Sequence, residues 1–201
     1  MTKLILSLAI ALITGCATFD RLPTDYAGPD AGKVVISIGA ASGTSYSSYS
    51  LLFRRRETSS VNDTKRTQGQ FVFFQKNMFS KQKPDYQAAA ESGVVLVQSL
   101  PPGSYEIFNF DIFFNAGTVQ NNYSSKLPFS IPFIVRPGQT TYLGNYQANK
   151  MTGRNLFGIP LPAGAVFVVS NRRGAELAIA QMKDKSVATE ATDATPDVKT
   201  V

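Results

Sequence analysis

The sequence contains no histidine and no tryptophan, and its single cysteine is Cys16. Without histidine, a Ser-His-Asp triad and a histidine-assisted cysteine nucleophile are excluded. The usual zinc sites need histidine or several cysteines, so they are excluded as well. One cysteine cannot form an intramolecular disulfide, and the fold must be held together by its hydrophobic core alone. These absences favour a protein that is not an enzyme and that uses no cofactor or metal.

Acidic residues are outnumbered by basic ones, 14 against 20, which gives a formal net charge of +6. An excess of this size suits an anionic surface such as a phospholipid or polysaccharide layer, although many soluble proteins carry as much. The chain has 201 residues, enough for one domain but too few for two of ordinary size. No nucleic-acid recognition motif is present, so nucleic acid is not expected as a partner.

The first sixteen residues carry the strongest signal in the sequence. Lys3 supplies a short positive region, and residues 4–13 form an apolar run of ten residues. That length is typical of a signal peptide and is about half of the roughly 20 residues that a membrane-spanning helix needs. The small residues Thr14 and Gly15 then precede Cys16, which suits the narrow pocket of a signal peptidase.

The four residues Ile13-Thr14-Gly15-Cys16 resemble the lipobox of bacterial lipoproteins. The resemblance implies cleavage before Cys16, a diacylglycerol thioether on its sulfur and, in many bacteria, a further acyl chain such as palmitate on its new amino group. Two or more buried chains anchor a protein firmly, whereas one holds it only marginally. The lipobox commonly has leucine at the position of Ile13. Ala17 follows the cysteine, which in Gram-negative lipoproteins favours the outer membrane. The alternative is an ordinary signal peptide followed by a chance cysteine.

Composition divides the chain into four segments. Residues 1–15 are predicted to be the signal peptide. Residues 16–32 contain two prolines and two glycines without apolar periodicity, which is typical of a tether. Residues 33–183 are expected to fold into one domain. Residues 184–201 lack aromatic side chains, and we expect them to form a disordered tail.

The folded region has an alternating apolar pattern that is typical of β-strands. Its segments are predicted to be strands at residues 33–39, 46–54, 71–74, 94–100, 105–114, 129–135, 140–148 and 165–170. Residues 55–70 are polar and predict a long loop, while residues 86–91 suggest a helical turn. Asn171 is suited to cap a short C-terminal helix over residues 172–183. Pro132 has no N–H, so its strand is expected at a sheet edge or at a bulge.

Proline and glycine mark two turns between these strands. Pro101-Pro102-Gly103 predicts a hairpin between the fourth and fifth strands, and Pro137-Gly138 predicts a turn before the strand at 140–148. No long helix is available as a parallel crossover, which favours antiparallel pairing. We therefore expect the fold class to be mainly β, with a single antiparallel β-sandwich and a short C-terminal helix.

Two segments carry a second resemblance. The residues 100–105 (Leu-Pro-Pro-Gly-Ser-Tyr) and 134–145, which include Pro137-Gly138 and Tyr142-Leu143-Gly144, are similar to small bacterial lipoproteins with a transthyretin-like or prealbumin-like domain. The likeness covers about residues 93–183 and rests on turn chemistry, so it implies a fold and no catalytic residues. The polar region 55–92 departs from that pattern.

The clearest basic cluster is a candidate anion-binding site. It consists of Arg54, Arg55, Arg56, Lys65 and Arg66, and it would contact lipid head groups or an anionic polysaccharide. The more ordinary interpretation is a charged loop that protects a sheet edge from pairing. The run of tyrosine and serine at residues 45–50 could stack on sugar rings, although an exposed strand has the same alternation.

Glycoside hydrolysis would need two facing carboxylates. Glu106 and Asp111 have opposite parity on one predicted strand and therefore point to opposite faces. Pairs between Asp111 and Glu91 or Asp85 stay open.

The sequence therefore predicts a non-enzymatic lipoprotein of the cell envelope, held by lipid on Cys16, most simply in the outer membrane and facing the periplasm. Its partner would be an envelope protein or a glycan, as for an accessory subunit of an envelope assembly. One alternative is a carboxylate-dependent hydrolase or carbohydrate-processing factor of the envelope. Another is a direct binder of anionic lipid or polysaccharide through Arg54, Arg55 and Arg56.

Overall fold

A computed structural model describes most of the region predicted to fold. The described residues are 25–41, 44, 46–56, 68–75, 82–115, 117–118, 120–197 and 201, without the side chains of 160–162. The predicted signal peptide, Cys16, Lys65 and Arg66 lie outside the described residues.

The described residues form mainly β-structure with one short helix, which confirms the predicted class. The strands are β1 (Gly32–Ala41), β2 (Ser48–Arg55), β3 (Gln68–Phe73), β4 (Tyr86–Gln87), β5 (Glu91–Leu100), β6 (Gly103–Asn115), β7 (Gln120–Ser124), β8 (Ile131–Val135), β9 (Thr140–Arg154), β10 (Pro160–Ser170) and β11 (Thr192–Asp193). The helix α1 spans Arg173–Lys183.

The strands belong to two separate sheets. Sheet A has the order β10-β9-β1-β5-β4, with β11 also paired to β9. Sheet B has the order β3-β2-β6-β7, with β8 also paired to β6. One hydrophobic core takes residues from both sheets, for example Ile36 and Tyr146 from sheet A and Leu51 and Ile112 from sheet B. The inner faces of the two sheets therefore pack on each other.

Sheet A is mixed, which corrects the expectation of purely antiparallel pairing. β1 lies between β5, its antiparallel neighbour, and β9, with which it runs parallel from Lys33↔Thr140 to Ala40↔Ala148. A parallel pair needs a long crossover, and here the strands β2 to β8, which belong to both sheets, supply it in place of a helix. The lack of a long helix in the sequence therefore does not exclude parallel pairing in this chain.

The predicted hairpin at Pro101-Pro102-Gly103 is wrong. β5 pairs with β1 and β4 in sheet A, whereas β6 pairs with β2, β7 and β8 in sheet B. The turn therefore carries the chain from one sheet to the other. The turn at Pro137-Gly138 does the same between β8 and β9. Pro132 lies in β8, an edge strand that pairs only with β6, as its missing N–H requires.

Two irregular positions change which face a strand presents. In β6, Leu52 pairs with Asn109 and Phe53 with Ile107, so Phe108 is an extra residue. Tyr105 and Ile107 before it and Phe110 and Ile112 after it all face the core. A regular strand would have placed only one of these two pairs inside.

The second irregularity lies in β9 at Gly144. The register with β1 shifts between Val35 and Ser37, and Gly144 has φ +106°, a conformation that favours glycine. Tyr142 packs beneath the helix on the outer face of sheet A, and Tyr146 lies in the core. The extra residue thus keeps the polar Asn145 out of the core between the sheets.

Helix α1 covers the outer face of sheet A. Leu177 and Ala180 are buried there against Val35, Val95 and Tyr142. The helix begins one residue later than predicted, so its N-cap is Arg172 and not Asn171, and no side chain caps it. The Oδ1 atom of Asn171 accepts a hydrogen bond from the backbone N–H of Arg173 at 3.0 Å. Ile179 is only partly buried and Met182 is exposed, so the apolar face of the helix is narrower than expected.

Residues 184–197 pack on the domain, contrary to the disordered tail expected there. Val187 is buried under the helix, and β11 pairs with Thr141 and Tyr142 of β9. Val201 exchanges two backbone hydrogen bonds with Phe167 of β10, at 2.7 and 2.9 Å. A segment without aromatic residues is ordered here because it completes a sheet and needs few apolar side chains of its own.

Two smaller expectations also change. β4, paired with β5, replaces the helical turn suggested near Tyr86. The folded unit begins before residue 33, since the N–H of Tyr26 donates to the carbonyl of Ser99 at 2.9 Å.

We predict that Gly144→Ala lowers the free energy of unfolding by about 1–3 kcal/mol, because alanine rarely adopts this backbone conformation. The new Cβ would also lie 3.1 Å from the Cγ2 atom of Thr195. Urea denaturation measures the change. Gly174→Ala in helix α1 is the matched control, since no atom beyond its chain neighbours and the backbone of its own helix lies within 4 Å of its added Cβ. It should be neutral or stabilise by up to about 1 kcal/mol. Equal loss in both variants would contradict the role given to the bulge.

Candidate interaction surfaces

The outer face of sheet B carries an arginine–glutamate cluster. Arg54 and Glu106 are direct cross-strand partners in β2 and β6, and the Nε atom of Arg54 donates to Glu106 Oε1 at 2.6 Å. The Arg54 guanidinium also lies 4.6 Å from the ring centroid of Phe108. Ser130 donates to the second carboxylate oxygen of Glu106. The cluster therefore holds charged and aromatic side chains in fixed positions.

The other members of the predicted anion-binding site are only partly brought together. Arg56 lies 4.0 Å from Glu106, so one carboxylate faces two guanidinium groups. Arg55 points elsewhere and donates to the carbonyl of Pro102 at 3.0 Å. Lys65 and Arg66 stay outside the described residues. Glu106 thus cancels part of the positive charge that the sequence predicts for this surface.

Glu106 is nearly buried, and its environment fixes it in the charged form. Burial raises the pKa of this carboxyl group, but hydrogen bonds from Ser130 and Arg54 and the charges of Arg54 and Arg56 outweigh burial. The net effect is a pKa below the usual value for glutamate. Partners that stabilise the ionised form have this effect in proteins generally.

The tyrosine and serine run does not form a sugar-binding platform. Tyr46 and Tyr49 are both buried in the core, with ring centroids 6.0 Å apart in an edge-on arrangement. Tyr49 also stacks on Phe73, and its hydroxyl donates to Gln75 at 2.5 Å. Rings held in this way are not available to stack on a saccharide. The expectation of an exposed strand is equally wrong for these two residues.

A buried polar network lies between sheet A and the helix. Glu176 of α1 accepts hydrogen bonds from Tyr142 at 2.7 Å and from Asn145 at 2.5 Å. The Tyr86 hydroxyl lies 2.9 Å from Ser37 and accepts from Gln147 at 2.6 Å. An added Cβ at Gly93 would lie only 2.4 Å from the Tyr86 hydroxyl, and one at its pairing partner Gly39 would lie 2.6 Å from the Gln147 amide. These close approaches leave no space for a ligand, so we interpret the network as structural.

Glu176 differs from Glu106 in the balance of these forces. Burial raises the pKa of the Glu176 carboxyl group, and hydrogen bonds from Tyr142, Asn145 and Ser37 only partly offset the effect. The net pKa lies above the usual value for glutamate. The network is therefore easier to form when this carboxyl is neutral.

A second exposed surface lies at the end of a projecting hairpin, which we call the distal hairpin (residues 149–164). The pairing of β1 with β9 ends at Ala148, so the six residues 149–154 continue beyond it for about 20 Å. At the tip, Asn155 Oδ1 accepts from the N–H groups of Phe157 and Ile159 at 2.9 and 3.0 Å. Gly158 completes the turn with φ +76°.

This turn places apolar side chains in solvent. Leu156 is 101% exposed and Phe157 is 87% exposed, while Ile159 and Met151 are about half exposed. Monomeric proteins rarely expose adjoining large apolar side chains without a use for them. The sequence does not distinguish this exposed tip from a buried strand, because a short apolar run occurs in both.

A groove adjoins the base of the distal hairpin. Its volume is about 550 Å³, and its lining includes Phe110, Tyr123, Met151 and Val166. Lys126 and the exposed Leu127 line it as well. A smaller cleft of about 310 Å³ lies beside Thr140 and Glu190. Neither of these two clefts is lined by a pair of carboxylates, so neither supports the hydrolase alternative.

The stretch of sequence that contains the distal hairpin is positively charged. The sequence contains no aspartate or glutamate between Asp111 and Glu176. Its lysine and arginine residues in that interval are Lys126, Arg136, Lys150, Arg154, Arg172 and Arg173. Within the described residues, no ion pair neutralises the first four of these, whereas Arg172 and Arg173 pair with Glu91 and Asp193.

Other classes of site receive no support from the described part of the chain. No group of three or more histidine, cysteine, aspartate or glutamate residues within it is arranged to hold a metal ion. None of its helices has the length and apolarity needed to cross a membrane.

Comparison with known proteins assigns this chain to no family. No protein-family model matches the chain, and no curated protein matches it. A solved leucine-rich repeat protein from Bacteroides thetaiotaomicron VPI-5482 is similar at 12% identity over 60% of this chain, with a TM-score of 0.34. The chain spans only 14% of the length of that protein. A likeness at this level says nothing about function.

We predict that the two buried glutamates give stability opposite dependences on pH. The raised pKa of Glu176 means that its contribution is present below the ordinary glutamate value and is lost as pH rises through the folded-state pKa. The lowered pKa of Glu106 means that its contribution is present above the ordinary value and is lost as pH falls through the folded-state pKa. Each unit of displacement corresponds to about 1.4 kcal/mol.

Urea denaturation across pH 3 to 8, at about one-unit steps, measures both effects. The stability of the parent relative to Glu176→Gln should fall as pH rises, whereas that relative to Glu106→Gln should rise. Parallel curves for the two variants would contradict the assignment.

Proposed function

We propose that this chain is a lipid-anchored lipoprotein of a bacterial envelope, most simply in the outer membrane and facing the periplasm. It serves as a non-enzymatic interaction module or accessory subunit. Its two packed sheets are proposed to form a β-sandwich of the transthyretin or immunoglobulin-like kind. The lipobox-like residues ending in Cys16 support the anchor, and the two sheets on one core support the sandwich.

The start of the folded unit supports a short tether. Asp25 forms a bridge with Ser99, and Tyr26 is hydrogen-bonded to the same residue. Eight residues lie between Cys16 and Asp25, and the nine Cα-to-Cα steps that join the two span at most about 30 Å. A lipid on Cys16 would therefore keep the domain close to the bilayer.

The observation that carries the interaction role is the uncovered face of sheet B. Helix α1 and the segment after it cover sheet A, whereas no helix or strand among the described residues covers the outer face of sheet B. That face combines Arg54, Glu106 and Phe108 with the half-buried Leu52 and Val72. Aromatic residues and arginine are enriched in protein interfaces.

This mixture favours a protein partner over a purely anionic one. An anion-binding surface would leave its guanidinium groups free, but Glu106 holds Arg54 and lies near Arg56. The anion-binding alternative keeps one supporting observation, since about half of the Arg54 and Arg56 side chains is exposed. Binding of anionic polysaccharide that weakens steeply with salt would favour it, because salt screens exposed charges.

We predict that Cys16→Ala carries no lipid and keeps residues 1–15, because the acyl chains have no other thiol to occupy and the lipobox-like cleavage site is lost. Fractionation of intact cells, followed by mass spectrometry of the purified protein, measures both location and attached lipid. Ala17→Asp is the matched control, since it leaves the cysteine in place and by resemblance should alter only which membrane is reached. Parent protein without the added mass of acyl chains, or Cys16→Ala protein with the same added mass as the parent, would contradict the anchor.

We also predict that Phe108→Ala weakens capture of the partner by about tenfold or more, as removal of a central aromatic contact commonly does. Proximity cross-linking in intact cells measures capture. Met182→Ser is the matched control, because Met182 is exposed on helix α1 and lies away from sheet B. Both variants should keep the parent melting temperature. Equal capture by the parent and both variants would contradict the use of this face.

A further inference from the structure

We propose that the distal hairpin and the rim of the groove at its base form a membrane-contact surface. It would lay the domain on the surface of an anionic lipid bilayer. The inference relies on the proposed anchor only for the presence of the bilayer nearby. Its own basis is the chemistry and position of the hairpin.

The apolar part of the surface is placed for insertion. Leu156 and Phe157 stand at the tip with almost their whole side chains in solvent. Two hydrogen bonds from backbone N–H groups to Asn155 Oδ1 fix the backbone of the turn that carries these side chains. Apolar side chains of surface-bound segments enter the boundary between head groups and acyl chains by about 5–10 Å.

The charged part of the surface matches lipid phosphates. Arg154 flanks the tip, Lys150 lies near the base of the hairpin on the same strand, and Lys126 lies on the rim of the groove beside Leu127. No acidic residue occurs on the hairpin, and none of these three cations has an ion-pair partner within the described residues. Lysine and arginine that lie behind inserted apolar groups are attracted to anionic head groups.

The shape favours a bilayer over a protein as the occupant. The tip of a two-stranded hairpin is narrow and convex, so it buries little area against a flat or rigid partner. Stable protein interfaces bury about 1,200–2,000 Å² in total. A bilayer needs no matching pocket, because lipids rearrange around the inserted side chains.

The dimensions allow contact with the bilayer that would hold the lipid of Cys16. β9 has 15 residues and is about 50 Å long, and its tip lies opposite the end at which Tyr26 enters the domain. A tether of up to about 30 Å lets the domain lie on its side. The lipid would then hold one end of the domain and the hairpin the other, and together they would set its orientation.

The test places a fluorescent label on the tip. Leu156→Cys supplies a free thiol, since the sulfur of Cys16 would be blocked by its lipid, and an environment-sensitive dye is attached to it. The purified lipoprotein is reconstituted into vesicles of phosphatidylcholine alone or with phosphatidylglycerol added. Gln87→Cys is the matched control, because Gln87 is exposed on β4, at the edge of sheet A opposite to β10.

We expect the Leu156 label to shift to the blue and to be quenched by lipid-borne quenchers in the anionic vesicles. The Gln87 label should stay in water in both. Lys150→Gln and Arg154→Gln should each lower the inserted fraction about fivefold, whereas Arg136→Gln, at the turn before β9, should leave it unchanged. Labels at Leu156 and Gln87 that behave alike in anionic vesicles would overturn the proposal.

The same preparation separates this inference from the proposed anchor. If the parent protein reacts with the thiol dye, Cys16 carries no lipid and the anchor proposal fails. The hairpin is then tested in a Cys16→Ser background by co-sedimentation with anionic vesicles, comparing Phe157→Ser with the parent. Equal sedimentation of these two proteins would overturn the hairpin proposal independently.

Discussion

The parallel pairing of β1 with β9 determines where the other parts of this molecule lie. It places β1 at the centre of sheet A, with β5 on its other side. Because the pairing stops at Ala148, the rest of β9 continues as the distal hairpin. The bulge at Gly144 then sends Asn145 to the helix side and Tyr146 to the core. The buried network, the helix-covered face and the exposed tip all follow from this one strand pair.

Alternation of side chains predicts most strands of this chain but not their partners. The strands at residues 94–100 and 105–114 are found where the pattern puts them, as β5 and β6, yet Pro101-Pro102-Gly103 joins two sheets and not one hairpin. Proline and glycine permit both kinds of turn, and their local chemistry does not distinguish them. The bulge at Phe108 could not be predicted either. It changes which residues of β6 face the core, and apolar residues occur on both faces of this strand.

The candidate surfaces could be predicted only in part. Clustering along the chain identifies Arg54 and Arg56, but their partner Glu106 lies about 50 residues away and meets them only through strand pairing. The exposed tip of the distal hairpin was not predicted, because Leu156 and Phe157 are residue types that are usually buried in a core. The sequence itself shows that no acidic residue lies between Asp111 and Glu176. Only the structure shows that part of this interval forms a projecting hairpin.

The separation in sequence of β1 and β9 has a consequence for biogenesis. Lys33 pairs with Thr140, a separation of 107 residues (140 − 33), and contacts between such distant segments form slowly. Sheet A therefore cannot close until two thirds of the chain has emerged, and its β11 strand joins later still. On an export route that threads unfolded polypeptide through a membrane, a late-closing sheet would keep the chain loose during passage and allow it to fold on the far side.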